Sequence, residues 1–244
     1  MSEASHPSVI QKRGRVAGRV LGVDACKGGW VGIALGEQDP QAYAAADIEA
    51  LVRQVEEHGP LAVVAVDIPI GLPDSGRRRA DELAKAEVGA RRSSVFMTPV
   101  RRALGAPDHR AAVAINRELA GEGFSIQAFG LKVKVFEVER FAGRDSHVLI
   151  EVHPEVSFAH MAGQPLTSRK LTWAGAEQRR ELLRACGVAL SGDLGLAGWN
   201  AGVDDVLDAG AAAWSARRFT AGQAISLPDP PERFSDGWPA AIWV

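Results

Sequence analysis

The chain predicts an α/β fold built on a mixed sheet, and three observations carry that expectation. The apolar run Val20-Leu21-Gly22-Val23 and a second one over residues 30–35 flank the turn Ala25-Cys26-Lys27-Gly28-Gly29, the pattern of an antiparallel hairpin. Residues 61–66 are continuously apolar, as expected of a central parallel strand covered on both faces. Helical and strand patterns then alternate, which gives helices layered on a sheet.

Each element has its own warrant. A third strand is expected near 41–45. Asp47 then offers an N-cap, Ile48, Leu51, Val52 and Val55 share one helical face, and Gly59-Pro60 ends the helix. Residues 69–107 change character, with Gly71, Pro73, Gly76, Pro99 and Gly105 punctuating arginines at 77, 78, 79, 91, 92, 101 and 102 around a short helix near 80–88. Helices follow at 108–119 and at 125–141, where Ile126, Phe129, Val133 and Phe136 keep helical spacing. A strand at 148–152 leads directly into a helix at 154–161. Two more helices, 177–185 and 203–219, precede a segment at 227–244, rich in proline and tryptophan, that reads as an extended strand or strap. No internal repeat is visible. The stretch between Asp67 and Val148 exceeds ordinary connection lengths, so it is read as a helical insertion of roughly 70 residues. The expected organisation is a disordered tail at 1–18, with the basic cluster Lys12-Arg13-Gly14-Arg15, and one domain at 19–244 with its insertion at about 70–145.

Composition narrows the function classes. The 244 residues are 46% hydrophobic and 24% charged, ordinary for a globular protein, and the net charge of -2 provides no global field to draw in nucleic acid or anionic lipid. Two cysteines, Cys26 and Cys186, are too few and too far apart for a disulfide framework or a zinc knuckle. No run approaches the ~18 apolar residues of a membrane span, and no segment of signal-peptide length follows the basic cluster. These features lead to the expectation of a cytoplasmic protein with no membrane partner. Oligomeric state stays open, with Trp238 and Trp243 free to pack inside the chain or across a dimer.

The chemistry lies in the acids. Asp24 and Asp67 each end an apolar strand, Glu151 ends Val148-Leu149-Ile150, and Asp205 and Asp208 lie one helical turn apart. A carboxylate at the mouth of a buried strand gives up hydration and calls for a cation. Carboxylates brought together repel by about 4 kcal/mol per close pair at an effective dielectric of 20. The last helix has to bring Asp205, with Asp208 (i, i+3) or Asp204 (i, i+4), to the strand ends. The small residues Ala209-Gly210-Ala211-Ala212-Ala213 give it a surface smooth enough to approach a sheet. Two ions ~3.5–4 Å apart on such a set could activate water and stabilise a leaving oxygen, and oxygen-only ligands favour Mg²⁺ or Mn²⁺ over zinc. Structural alternatives stand beside this. Asp24 could cap its turn, Asp67 could bond backbone amides ahead of Pro69, and Asp204 and Glu155 suit helix N-termini. His153 could be a ligand, a proton shuttle or a structural imidazole bonded to a backbone carbonyl.

Four blocks in order, Val20-Leu21-Gly22-Val23-Asp24, Val66-Asp67-Ile68-Pro69-Ile70-Gly71-Leu72-Pro73, Glu151-Val152-His153-Pro154-Glu155-Val156-Ser157-Phe158 and Asp204-Asp205-Val206-Leu207-Asp208-Ala209, resemble the DUF429 family. With Gly237-Trp238-Pro239-Ala240-Ala241-Ile242-Trp243, the likeness spans residues 19–244. That family is regarded as predicted nucleases, so the resemblance implies a ribonuclease H-like mixed five-stranded sheet with flanking helices. In the wider fold, Asp24, Asp67 and the Asp205/Asp208 pair resemble the first-strand, fourth-strand and final-helix acids of Holliday-junction resolvases of the RuvC type. The block from Glu151 to Glu155 departs from that pattern.

The resulting expectation is a phosphodiester hydrolase using Mg²⁺ or Mn²⁺, acting on nucleic acid or another phosphodiester. Asp24, Asp67, Glu151, Asp205 and Asp208 form the candidate catalytic set, and all of these except Glu151 are candidate metal ligands. Arg91, Arg92 and Ser93 are candidates for substrate phosphate, since guanidinium and hydroxyl groups suit phosphate oxygens. Lys27 in the first loop is another, and Lys134, which matches the family pattern on an otherwise apolar helix face, is a substrate-binding candidate that could neutralise the acidic centre. The arginine-rich stretch also has a plain reading as a solvated face paired with Asp81, Glu82 and Glu87. Two other functions compete: an ATP-dependent phosphotransferase of the actin-like kinase class, argued from the loop 24–29 by fold analogy, and a non-catalytic nucleic-acid-binding module. Against the kinase, the chain has no second Asp-Gly phosphate loop. Against broad tracking along duplex DNA stands the net charge, because such affinity is mostly phosphate neutralisation.

Overall fold

One seven-stranded sheet, ordered β3-β2-β1-β4-β5-β7-β6, organises the residues described by the computed structural model, which are 18–37, 40–143 and 147–244. Most of the proposed tail, including its basic cluster, lies outside them. β1 (Arg19–Cys26), β2 (Gly29–Leu35) and β3 (Gln41–Ala45) form an antiparallel meander. α1 (Ile48–Glu56) follows, with the Asp47 carboxylate accepting from the Ala50 amide as its N-cap. β4 (Leu61–Val66) then lies parallel to β1, with Val23 opposite Val66.

Between β4 and the next strand the chain is helical: α2 (Arg79–Glu87), a 3-10 turn at Gly89–Ser94, α3 (Arg101–Leu104), α4 (His109–Ala120), α5 (Ile126–Gly130) and α6 (Lys132–Ala142). β5 (Val148–Glu151) pairs parallel with β4, with Glu151 opposite Val66. α7 (Pro154–Ala162), α8 (Trp173–Ala185) and α9 (Val203–Thr220) come next. β6 (Ser226–Arg233) and β7 (Pro239–Trp243) close the chain as an antiparallel pair, with β7 running parallel to β5.

Two cores fill the two faces of this sheet. Val63 and Ala65 face one with α7, α8 and α9; Val64 and Val66 face the other with α1 and α6. That double burial is why β4 reads as an unbroken apolar run instead of an alternating one. No helix among the described residues is long and apolar enough to cross a membrane.

The expectation of a mixed α/β sheet holds, with corrections. The sheet has seven strands, not five, because 226–243 folds back as a hairpin on the outer side of β5. β6 carries Pro228, Pro230 and Pro231, which an edge strand tolerates because its outer donors have no partner to serve. The helix expected over 125–141 is two, broken around Gly130 and Leu131. α8 starts four residues before the expected 177, with the Thr172 hydroxyl accepting from the Gly175 amide. Its first turn exposes Trp173, so no apolar periodicity announces it. Trp238 and Trp243 are each partly buried against their own chain, the latter edge-on to Phe219 at 4.8 Å.

α9 crosses the sheet at backbone contact with β1. A Cβ on Gly22 would lie 1.9 Å from the Ala213 nitrogen and 2.3 Å from the Ala209 oxygen. Ala209, Ala211, Ala212 and Ala213 are fully buried there. Gly22→Ala is therefore expected to lower stability by about 1–3 kcal/mol, the range for overpacking a tight core, or to exceed it because backbone must move. Chemical denaturation measures this, with Gly130→Ala as the comparison, since nothing lies within 4 Å of that position. A Gly22→Ala protein as stable as Gly130→Ala would contradict this packing.

Candidate functional site

Neighbouring parallel strands bring the first two acids together. Asp67 follows Val66, its amide donates to the Val23 oxygen at 3.1 Å, and Asp24 follows Val23 in β1. Both carboxylates therefore emerge at the same end of the sheet. α9 adds Asp208, and one oxygen from each of Asp24, Asp67 and Asp208 lies within 4.8 Å of the other two. These acids line a cavity of about 330 Å³ whose walls include Ile68, Phe96, His153 and Lys170.

The three carboxylates are poorly served by donors. Asp24 Oδ1 accepts from the Ala25 amide at 2.8 Å. Asp208 Oδ2 accepts from Lys170 Nζ at 2.6 Å, whereas its Oδ1 is buried with no partner among the described residues. Burial pushes the pKa of Asp24 up strongly, reinforced by the charges of Asp67 and then Asp208. Burial does the same for Asp67, reinforced chiefly by Asp208. Asp208 is raised by burial to about 6, with Lys170 pulling the other way. Burial disfavours the Lys170 ammonium, but Asp208 and the other acids outweigh that and hold its pKa well above the ordinary lysine value.

The remaining acids at this end are already committed. Glu151 accepts from Arg78 at 2.6 Å and from the Ile70 amide at 2.7 Å, and Asp81 lies 3.5 Å from the same arginine. Even so, burial outweighs Arg78 and leaves the Glu151 pKa at about 7. Glu155 takes two bonds from Arg179, at 2.6 and 2.8 Å. Both arginines are fully buried, so each pair braces a wall, and removing one partner would strand a charge at a cost of about 3–5 kcal/mol. Asp205 lines the cavity but accepts from the Gly202 amide at 2.8 Å, which ties its carboxylate to the start of α9. Asp204, the i+4 alternative, lies 3.5 Å from Lys170. Burial pushes the His153 pKa down against the pull of Glu155, and its Nδ1 is buried with no hydrogen-bond partner among the described residues.

The proposed phosphate-binding set does not gather at the cavity. Lys27 is exposed in the β1–β2 turn. Lys134 sits over the Trp30 ring at 4.2 Å and 3.4 Å from Glu137, both outside the cavity lining. Arg91, Arg92 and Ser93 occupy the 3-10 turn, and it is the next residues, Ser94 to Phe96, that reach the cavity. Four of the seven clustered arginines carry carboxylate partners: Arg77 with Glu122, Arg78 as above, Arg79 with Glu82, and Arg101 with Glu139 and Asp236. The cation that does meet the acids is Lys170, in the loop between α7 and α8. Its partner Asp208 is 38 residues away, and the only sequence signal was that three converging acids need a counter-ion.

The sequence model of a family described as a protein of unknown function, DUF429, matches residues 22–233. This chain belongs to the DUF429 family. That match covers β1 to β6 and so every acid of the cavity. Neither the curated proteins nor the solved structures contain a match to this DUF429 chain.

The site's acids set a pH dependence. A carboxyl whose folded pKa is raised binds protons more tightly folded than unfolded, so its favourable contribution is complete at low pH and fades as pH rises towards the folded value. For Asp208 the window runs from 3.8 to about 6. Replacing Asp67 by Asn is expected to flatten the fall in metal-free stability across that range. Added Mn²⁺ should raise the wild-type melting temperature more at about pH 7.5 than at about pH 5, because its ligands must be deprotonated. Thermal melts with and without the ion check both, and an equal Mn²⁺ shift at the two pH values would contradict them.

Proposed function

We propose that this DUF429 chain is a divalent-metal-dependent phosphodiester hydrolase, with nucleic acid or a smaller phosphodiester as substrate. The observation that carries the reading is the convergence of Asp24, Asp67 and Asp208 within 4.8 Å, with a buried Asp208 oxygen lacking any partner among the described residues. Folding alone has no use for such a set, since uncompensated buried carboxylates are costly. Three hard oxygen donors fit Mg²⁺ or Mn²⁺.

The topology supports a ribonuclease H-like reading. The stretch β3-β2-β1-β4-β5 inside the seven strands is a mixed five-stranded unit. Its acids stand on the first strand, the fourth strand and the last helix, the same elements that carry them in resolvases of the RuvC type. When bound, a divalent ion would supply polarisation of a phosphoryl oxygen and activation of water. The chain's own groups do the rest. Asp24 and Asp67 hold ligand oxygens at fixed strand ends, Lys170 orients the Asp208 carboxylate, and the two buried arginine–glutamate pairs keep the walls rigid. The reading leans on the cavity and not on the arginine strip, much of which is neutralised by carboxylates.

The test is cleavage of labelled DNA, RNA and a chromogenic phosphodiester with Mg²⁺ or Mn²⁺. Wild type should cleave at least one of these, and Asp24→Asn and Asp67→Asn should each lower the rate by at least about 100-fold, the scale of losing a principal electrostatic group. Activity surviving in the double variant would overturn the proposal. ATP binding without turnover of any phosphodiester would favour the phosphotransferase reading instead.

A further inference from the structure

The seating of the cations at the cavity points to something more specific than a metal centre. Asp81 and Glu151 share Arg78, Glu155 is held by Arg179, and one Asp205 oxygen accepts from the Gly202 amide. Asp24, Asp67 and Asp208 are left facing Lys170 alone among the cavity-lining cations. Asp205 keeps its charge as well, because a backbone amide is neutral, so the acids at the cavity outnumber its cations and call for at least one divalent ion.

The geometry divides in the same way. The two Asp208 oxygens differ: Oδ2 is held by Lys170 at 2.6 Å, and Oδ1 is buried with no partner among the described residues. Lys170 Nζ also lies 3.5 Å from Asp204 Oδ2, so the ammonium bridges two carboxylates one turn apart on α9. A bridging position between carboxylates is where a second ion of a two-metal centre belongs. Here a tethered cation fills it.

We propose that Lys170 takes the place of a second metal ion: the centre accepts one divalent cation, on Asp24, Asp67 and Asp208 Oδ1, while the lysine ammonium stays on Asp208 Oδ2 and Asp204. This rests on the reading of the three aspartates as a metal centre. It makes Lys170 a positioning residue that also supplies the second positive charge facing a phosphodiester in the cavity. It also explains why that cation lies in a loop, since a flexible four-carbon stem can seat a point charge without rigid backbone.

Mn²⁺ stoichiometry tests the inference independently of activity. Titration followed by calorimetry and electron paramagnetic resonance should give a single uncoupled ion for wild type and for Lys170→Arg. Lys170→Ala should gain a second ion, spin-coupled to the first at about 3.5–4 Å, and Asp204→Asn in that background should weaken the second ion only. Lys170 is partly exposed, and circular dichroism melts will show whether the variants are folded. Two ions in wild type, or one ion in both wild type and folded Lys170→Ala, would overturn the substitution while leaving the metal centre intact. Binding by Lys170→Ala but not by wild type would make the lysine a plug and would overturn it as well. No Mn²⁺ in any protein would remove the metal centre and the inference with it.

Discussion

Everything at the functional end depends on how closely α9 seats on β1. Gly22 has no side chain, and Ala209 to Ala213 carry almost none, so helix and strand meet backbone to backbone. The helix is thereby fixed within reach of the strand ends, and Asp208 sits just ahead of the alanines. A bulkier residue on either surface would lift the helix, and the third acid would leave the cluster before any strand changed register.

The electrostatics follow from that seating. A cavity walled by carboxylates would be intolerable if all were left unpaired. Two buried arginines pair with Asp81, Glu151 and Glu155, and the three aspartates in the middle share Lys170 alone among the cavity-lining cations. The contrast is informative because Asp24 and Asp208 are buried much as Glu151 and Glu155 are, yet no arginine is paired with them among the described residues. Lys170 tempers their negative charge without removing it. A site that combines rigid, compensated walls with an undercharged centre is preorganised for a mobile cation and has little to rearrange when one arrives.

Much of this was legible in the sequence because it is written in local patterns. The ends of β1 and β4, the Asp47 cap and the alanine-rich face of α9 announce themselves through apolar runs, capping chemistry and side-chain size. That acids after strands one and four and on the last helix would converge could be read, but not that Asp208 and not Asp205 would join Asp24 and Asp67. What escaped was non-local. Arg78, Arg179 and Lys170 meet partners 73, 24 and 38 residues away, and no periodicity links them. Arg78 sat inside a basic run that suggested solvent or phosphate, yet it is among the largest fully buried side chains. The hairpin of β6 and β7 was hidden by its prolines, which argue against sheet until its position at the margin is known.

Those prolines have a consequence of their own. Pro228, Pro230 and Pro231 remove three amide donors from the outermost strand, and at the opposite margin β3 is only five residues long. Neither border therefore offers a long row of hydrogen-bonding groups for another chain to zip onto, which is how sheets avoid growing into fibres. If copies of this protein associate, helical surfaces are better suited to mediate it than a continuous intermolecular sheet.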